Sequence, residues 1–135
     1  MTRYVIDAPT LLYVVANGVQ VSPAHQLVAP NVIRSQALAL LLTAVRRGDL
    51  DESLALRQHE RLTELKMRLL GDRMSRRTAW NVARDQGWET LDEADYIAVT
   101  RLQADALVTV NPALAARAAG LVRLAPFEAL SRADD

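Results

Sequence analysis

The stretch Leu91–Ala118, LDEADYIAVTRLQADALVTVNPALAARA, decides how this chain folds. Thr90 stands before it as a helix cap, acids fill the opening turn and apolar residues follow, which predicts a helix from Thr90 to about Leu102. Ala106-Leu107-Val108-Thr109-Val110 is a short, nearly continuous apolar run, the pattern of a strand covered on both faces. Asn111-Pro112 then opens a second helix, an N-cap followed by proline in the first helical position, which runs through Ala119 and stops at Gly120. Helix, buried strand and helix in this order predict an α/β domain on a parallel sheet with helices on both faces.

The same alternation extends outward. Arg3–Ile6 reads as a strand ending at Asp7, and Ala8–Asn17 as a helix that tolerates Pro9 in its first turn and stops at Gly18. Ser22-Pro23 reads as a turn or one helical turn. Pro30 opens a long helix to about Arg47, in which Val32, Ile33, Ala37, Leu40, Leu41 and Ala44 recur at three- and four-residue spacing. Asp49 and Glu52 form a capping box for a helix to about Lys66. Met67–Leu70 reads as a short strand, and Ser75 caps a helix to about Gln86. Leu121–Leu124 reads as a last strand and Phe127–Arg132 as a short helix, with a fraying tail at Ala133-Asp134-Asp135.

At 135 residues, half of them hydrophobic, the chain suits a single domain over residues 1–135 with a substantial core. The absence of cysteine excludes disulfides and Cys-based metal sites and is compatible with a reducing cytoplasm. Asp7 and Pro9 interrupt the N-terminal apolar stretch, so it reads as strand and helix rather than a signal peptide, and no apolar run approaches membrane-spanning length. Zero net charge argues against avid, unspecific nucleic-acid binding. The charge is nonetheless polarised. Residues 57–84 carry eight bases against three acids, and residues 85–105 carry six acids against one base. A basic surface beside an acidic pocket suits a metal-dependent nuclease, whereas the same pattern also describes solvated helix faces with ion pairs.

Carboxylates gathered at strand ends can hold Mg²⁺ or Mn²⁺. Asp7 is such a residue, and equally a helix N-cap. Glu93 sits in the acidic group with Asp92 and Asp95, and local pattern favours it as the far end of a Thr90 capping box. Two helical steps turn Asp95 to nearly the opposite face from Glu93. Asn111, where a metallonuclease would want an acid, reads locally as a cap. Trp80 and Trp88 read as core or lid, and His25 and His59 lack ligand spacing. A phospho-acceptor site is disfavoured, because Asp7 has no acidic neighbour and the sole lysine is Lys66.

Taken in order, RYVIDAPTLL, VAPNVIRSQALALL and LDEADYIAVTRLQADALVTVNPALAARA resemble the PIN-domain family of the VapC toxin type over nearly the whole chain. The resemblance implies a three-layer α/β/α domain with a central parallel sheet. It implies a Mg²⁺- or Mn²⁺-dependent ribonuclease, a cognate antitoxin and a homodimer. Asp7 matches the family's first acid. Glu93 stands, longer by one methylene, where the family has Asp three residues before a Tyr-Leu-Ala-like run. Gln36 and Asn111 stand where the family has its other two acids, and Thr109 fits its common Thr. By this carry-over Asp7 and Glu93 would hold one metal, with Asp95 or Asp92 to compensate for lost charge, and Gln36 and Asn111 would complete or hydrogen-bond the shell. Arg34, or the basic stretch with Arg73, Arg76 and Arg77, would contact RNA phosphates. Each acid-to-amide change removes ligand charge, so metal affinity is expected to be weak, and an amide is no general base. The alternative is a catalytically weakened or inactive PIN module that binds RNA or protein.

Overall fold

Four parallel strands form the centre of the computed structural model, which describes residues 1–133; the expected fraying at Asp134 and Asp135 lies outside the described residues. In chain order the elements are β1 (Thr2–Ile6), α1 (Ala8–Ala16), β2 (His25–Pro30), α2 (Ile33–Arg46), α3 (Glu52–Glu64), β3 (Arg68–Leu70), α4 (Arg73–Gln86), α5 (Asp92–Gln103), β4 (Ala106–Val108), α6 (Pro112–Ala118) and a 3₁₀ turn at Phe127–Ser131. The sheet order is β3-β2-β1-β4. Val5 of β1 is in register with Val28 on one side and Leu107 on the other, and all three are fully buried.

The strand order dictates the layers. Crossovers between parallel strands are right-handed. The chain steps from β1 to β2 to β3 in one direction, so α1, α2 and α3 share one face and pack on one another. It then reverses to place β4 on the far side of β1, which puts α4 and α5 on the opposite face. There α5 lies against β1, β2 and β4, with α4 packed on α5. Its Ala94, Ile97, Ala98 and Val99 are buried, the burial expected of a helix laid centrally on a sheet. The result is the three-layer α/β/α arrangement that the sequence predicts.

Three expectations need correction. The long helix begins at Ile33 rather than Pro30, because His25–Pro30 is the strand β2, paired on both sides. Only Leu27-Val28-Ala29 gives it an apolar run, and Pro30 imitates a helix start. The proline is tolerated because it is the last strand residue, and the next backbone N–H, of Asn31, bonds the Leu70 carbonyl at 2.8 Å instead. The expected strand at Leu121–Leu124 is a single parallel bridge between Leu124 and Leu107. The caps are also displaced. Asp51 rather than Asp49 precedes α3, Leu91 rather than Thr90 precedes α5, and Asp72 rather than Ser75 caps α4. The Asp72 carboxylate accepts the Ser75 N–H at 2.8 Å, and that bond holds its carboxyl below the usual carboxylate range.

Candidate functional site

The strand order reverses at β1, so the crevice beyond the carboxyl ends of β1 and β4 is the topological switch point, where open α/β sheets bind ligands. Asp7 is the first residue after β1, and Thr109, Val110 and Asn111 follow β4. The fold thus brings Asp7 and Asn111, predicted from sequence, to one place.

Asp7 is 3% exposed, and both of its carboxylate oxygens are engaged. The Thr10 hydroxyl donates to Oδ1, and the Thr109 hydroxyl donates to Oδ2 at 3.0 Å. Each hydroxyl in turn accepts a backbone N–H from the loop after β4: Val110 on Thr10 at 3.0 Å, and Asn111 on Thr109 at 3.0 Å. These accepted bonds leave each hydroxyl proton free to point at Asp7. The carboxylate therefore fastens the β1–α1 junction to the β4–α6 loop. It does not cap α1, whose N-terminus has no side-chain cap bond. Asn111 does cap: its Oδ1 accepts the Ala113 N–H at 3.0 Å.

Gln36 reaches the same crevice from α2, through the Tyr96 hydroxyl that donates to its Oε1 at 2.5 Å. Tyr96 is 4% exposed. Burial pushes its phenol well above the ordinary value of 10.0, and the nearby Asp7 carboxylate pushes it further, while a backbone hydrogen bond with Ala8 opposes the rise in part. The folded phenol keeps its proton where the unfolded one begins to lose it, at about pH 10. Its contribution to stability is complete below that pH and is lost as pH rises above it. Tyr96→Phe is expected to cost roughly 1 kcal/mol at pH 7 through the lost hydrogen bond and to weaken the alkaline fall in stability. Urea unfolding at a series of pH values checks both.

Glu93 is engaged elsewhere. Its Oε1 accepts from Arg117 Nη1 at 2.7 Å, and that guanidinium lies 5.2 Å from the centroid of Trp88. Half-exposed pairs of this kind are weak. Glu93→Gln is accordingly expected to change the unfolding free energy by less than about 1 kcal/mol, which chemical denaturation checks. Asp95, as the helix turn predicts, faces another way, into a pocket of 160 Å³ shared with Pro30, Leu70, Arg76 and Leu91. Burial first, then the Asp92 carboxylate, holds its carboxyl above the usual range.

The donor set offers a divalent cation few anionic oxygens. Among the described residues no three His, Cys, Asp or Glu side chains gather as a metal-holding group. Asp7 is held by neutral hydroxyls that donate to it, and Glu93 by a cation. A hard divalent ion needs several anionic or free oxygen donors. Here the amide oxygens of Gln36 and Asn111 are already accepting from Tyr96 and Ala113.

Of the basic residues named from sequence, Arg73, Arg76 and Arg77 stand exposed along α4. Arg34 does not join them: its Nη2 donates to the Leu65 carbonyl at the end of α3 at 3.4 Å, and its Nε is buried. Thr10, three residues after Asp7 in DAPT, is the member of the network that sequence reasoning missed. A hydroxyl one helical turn beyond a strand-end acid is the signal that could have found it.

Sheet order and layering define a three-layer α/β/α fold around a parallel sheet. Solved structures that share it include PAE2754 from Pyrobaculum aerophilum, at TM-score 0.73 and 22% identity over 96% of this chain and 93% of that one, and VapBC-1 from nontypeable Haemophilus influenzae, at TM-score 0.60 and 19% identity over 93% and 98%. At such identities the likeness is one of fold. No protein-family model matches the chain, and no curated protein matches it. No helix among the described residues is long and apolar enough to cross a membrane.

Proposed function

We propose that this chain is a VapC-like PIN module of the cytoplasm that engages RNA and a protein partner of the antitoxin kind, with metal-dependent phosphodiester hydrolysis lost. The observation that carries this reading is the double engagement of the Asp7 carboxylate by Thr10 and Thr109. A carboxylate held this way, with amides at Gln36 and Asn111, has become a fastening rather than a ligand. The exposed arginines of α4 support RNA as a partner. Exposed Leu38, Leu42 and Leu56, on the neighbouring helices α2 and α3, support a protein partner or a second copy of the chain.

The second reading is a weak Mg²⁺- or Mn²⁺-dependent ribonuclease with Asp7 and Glu93 as its acids. The position of Asp7 at the switch point favours it. Incubation of the protein with a mixed RNA pool and millimolar Mn²⁺, with RNA binding followed in parallel, separates the two. The first reading predicts retained binding and no cleavage above that of Asp7→Asn. Mn²⁺-dependent cleavage that disappears in Asp7→Asn would establish the second.

A further inference from the structure

We infer that the outward face of α4 is a platform for single-stranded RNA, in which Trp80 stacks on an unpaired base while Arg73, Arg77 and Arg84 hold the flanking phosphates. This rests on the proposed engagement of RNA and gives it a site and a mode.

At 3.6 residues per turn, Arg73, Arg77, Trp80 and Arg84 fall within roughly 60° of one another around the helix, in a stripe about 16 Å long. The opposite face is the buried one, with Ser75, Ala79, Val82 and Ala83. Asp85 is the sole acid of α4, and it lies roughly 100° round the helix from Arg84. The side chains of Arg73 and Arg77 make no ion pair or hydrogen bond among the described residues. Arg84 is paired only with Asp85, at 3.0 Å, with both side chains about 60% exposed, a weak surface pair that a phosphate can displace.

Trp80 is 59% exposed and makes no ring or cation contact among the described residues. A large aromatic so placed contributes little to the core and leaves a broad π-face in water. Cations flanking an exposed aromatic are the elements of a single-strand platform, where phosphates meet the charges and bases stack on the ring. A duplex does not fit: its base faces are covered, and the A-form major groove is too narrow for side chains. An apolar protein surface fits the leucine-rich face of α2 and α3 better than this cationic stripe.

The test uses two fluorescently labelled strands, an octamer of riboadenosine and an abasic strand of the same length. Binding is read by anisotropy for the unaltered protein, Trp80→Ala and Trp80→Phe across a range of salt. Trp80 is exposed, so the variants should fold, which melting curves confirm. The expected result is a loss of about tenfold in affinity for the adenosine strand in Trp80→Ala. Trp80→Phe should restore most of it, and the abasic strand should bind both variants as it binds the unaltered protein. Arg73→Ala with Arg77→Ala should lower affinity for both strands and flatten the salt dependence. Equal binding by Trp80→Ala and the unaltered protein would overturn the platform while leaving RNA engagement standing. No binding of either strand would overturn both. A change of sedimentation in Trp80→Ala without a change in RNA affinity would assign the face to protein association and overturn the proposal.

Discussion

Asp7→Ala is expected to lower the unfolding free energy by about 2–4 kcal/mol, because two hydrogen bonds to one buried charged acceptor are lost together. The Thr10 and Thr109 hydroxyls, fixed in direction by the Val110 and Asn111 N–H groups they accept, would be left donating to nothing in a buried crevice. Asp7→Asn keeps one carbonyl oxygen as acceptor and should cost less. Urea unfolding of the three proteins gives the order directly, with unchanged slope as the check that only stability has moved. The sign is diagnostic. An acid kept for metal binding is a liability without its metal, so its removal leaves stability unchanged or raises it. A carboxylate that fastens β1 to the loop after β4 does the opposite. Thr10→Val combined with Thr109→Val should reproduce much of the Asp7→Ala loss, by stranding the carboxylate instead of the hydroxyls.

The second large effect runs the other way. Gln36→Glu with Asn111→Asp adds two negative charges near Asp7: Gln36 accepts from Tyr96, whose phenol feels the Asp7 carboxylate, and the Asn111 N–H bonds the Thr109 hydroxyl that donates to Asp7. Without metal the double variant should melt below the unaltered protein, since the new carboxylates repel Asp7 in a partly buried crevice. With millimolar Mn²⁺ it should recover and exceed that temperature. Binding at about a hundred times Kd adds roughly 2.7 kcal/mol, and affinity rises with the charge of the ligand set. The unaltered protein should show no Mn²⁺-dependent shift. Melting curves over a Mn²⁺ series, with Mg²⁺ alongside, test this. Failure of the double variant to respond would mean that Glu93, held by Arg117, is also required, and adding Arg117→Ala would then release it.

Much of this architecture is legible in the sequence because it is written in local chemistry. Glycine and proline punctuate the helices, and the apolar runs at Val5-Ile6 and Leu107-Val108 mark the central strands. β2 was illegible because its evidence is not local. His25 and Gln26 begin it with polar side chains, Pro30 ends it like a helix start, and only pairing with β1 and β3 makes it a strand. Asp7 and Asn111 could be placed at the crevice from the strand pattern, but the partners of Asp7 could not, since Thr109 is 102 positions away. Glu93 shows the same gap. Sequence allows a cap or a ligand, and folding supplies a third partner, Arg117, on a helix that follows β4. Trp80 reads as core or lid at the level of pattern, yet lies on the outward side of α4, because the buried face is defined by small residues that carry little sequence signal.

In the proposed function Asp7 serves as a hydrogen-bonded fastening and not as a metal ligand. Titration calorimetry of the unaltered protein with Mn²⁺, repeated on Asp7→Asn, tests it most directly. The expected result is no stoichiometric binding up to millimolar metal in either protein. Stoichiometric Mn²⁺ binding by the unaltered protein, abolished in Asp7→Asn, would contradict it.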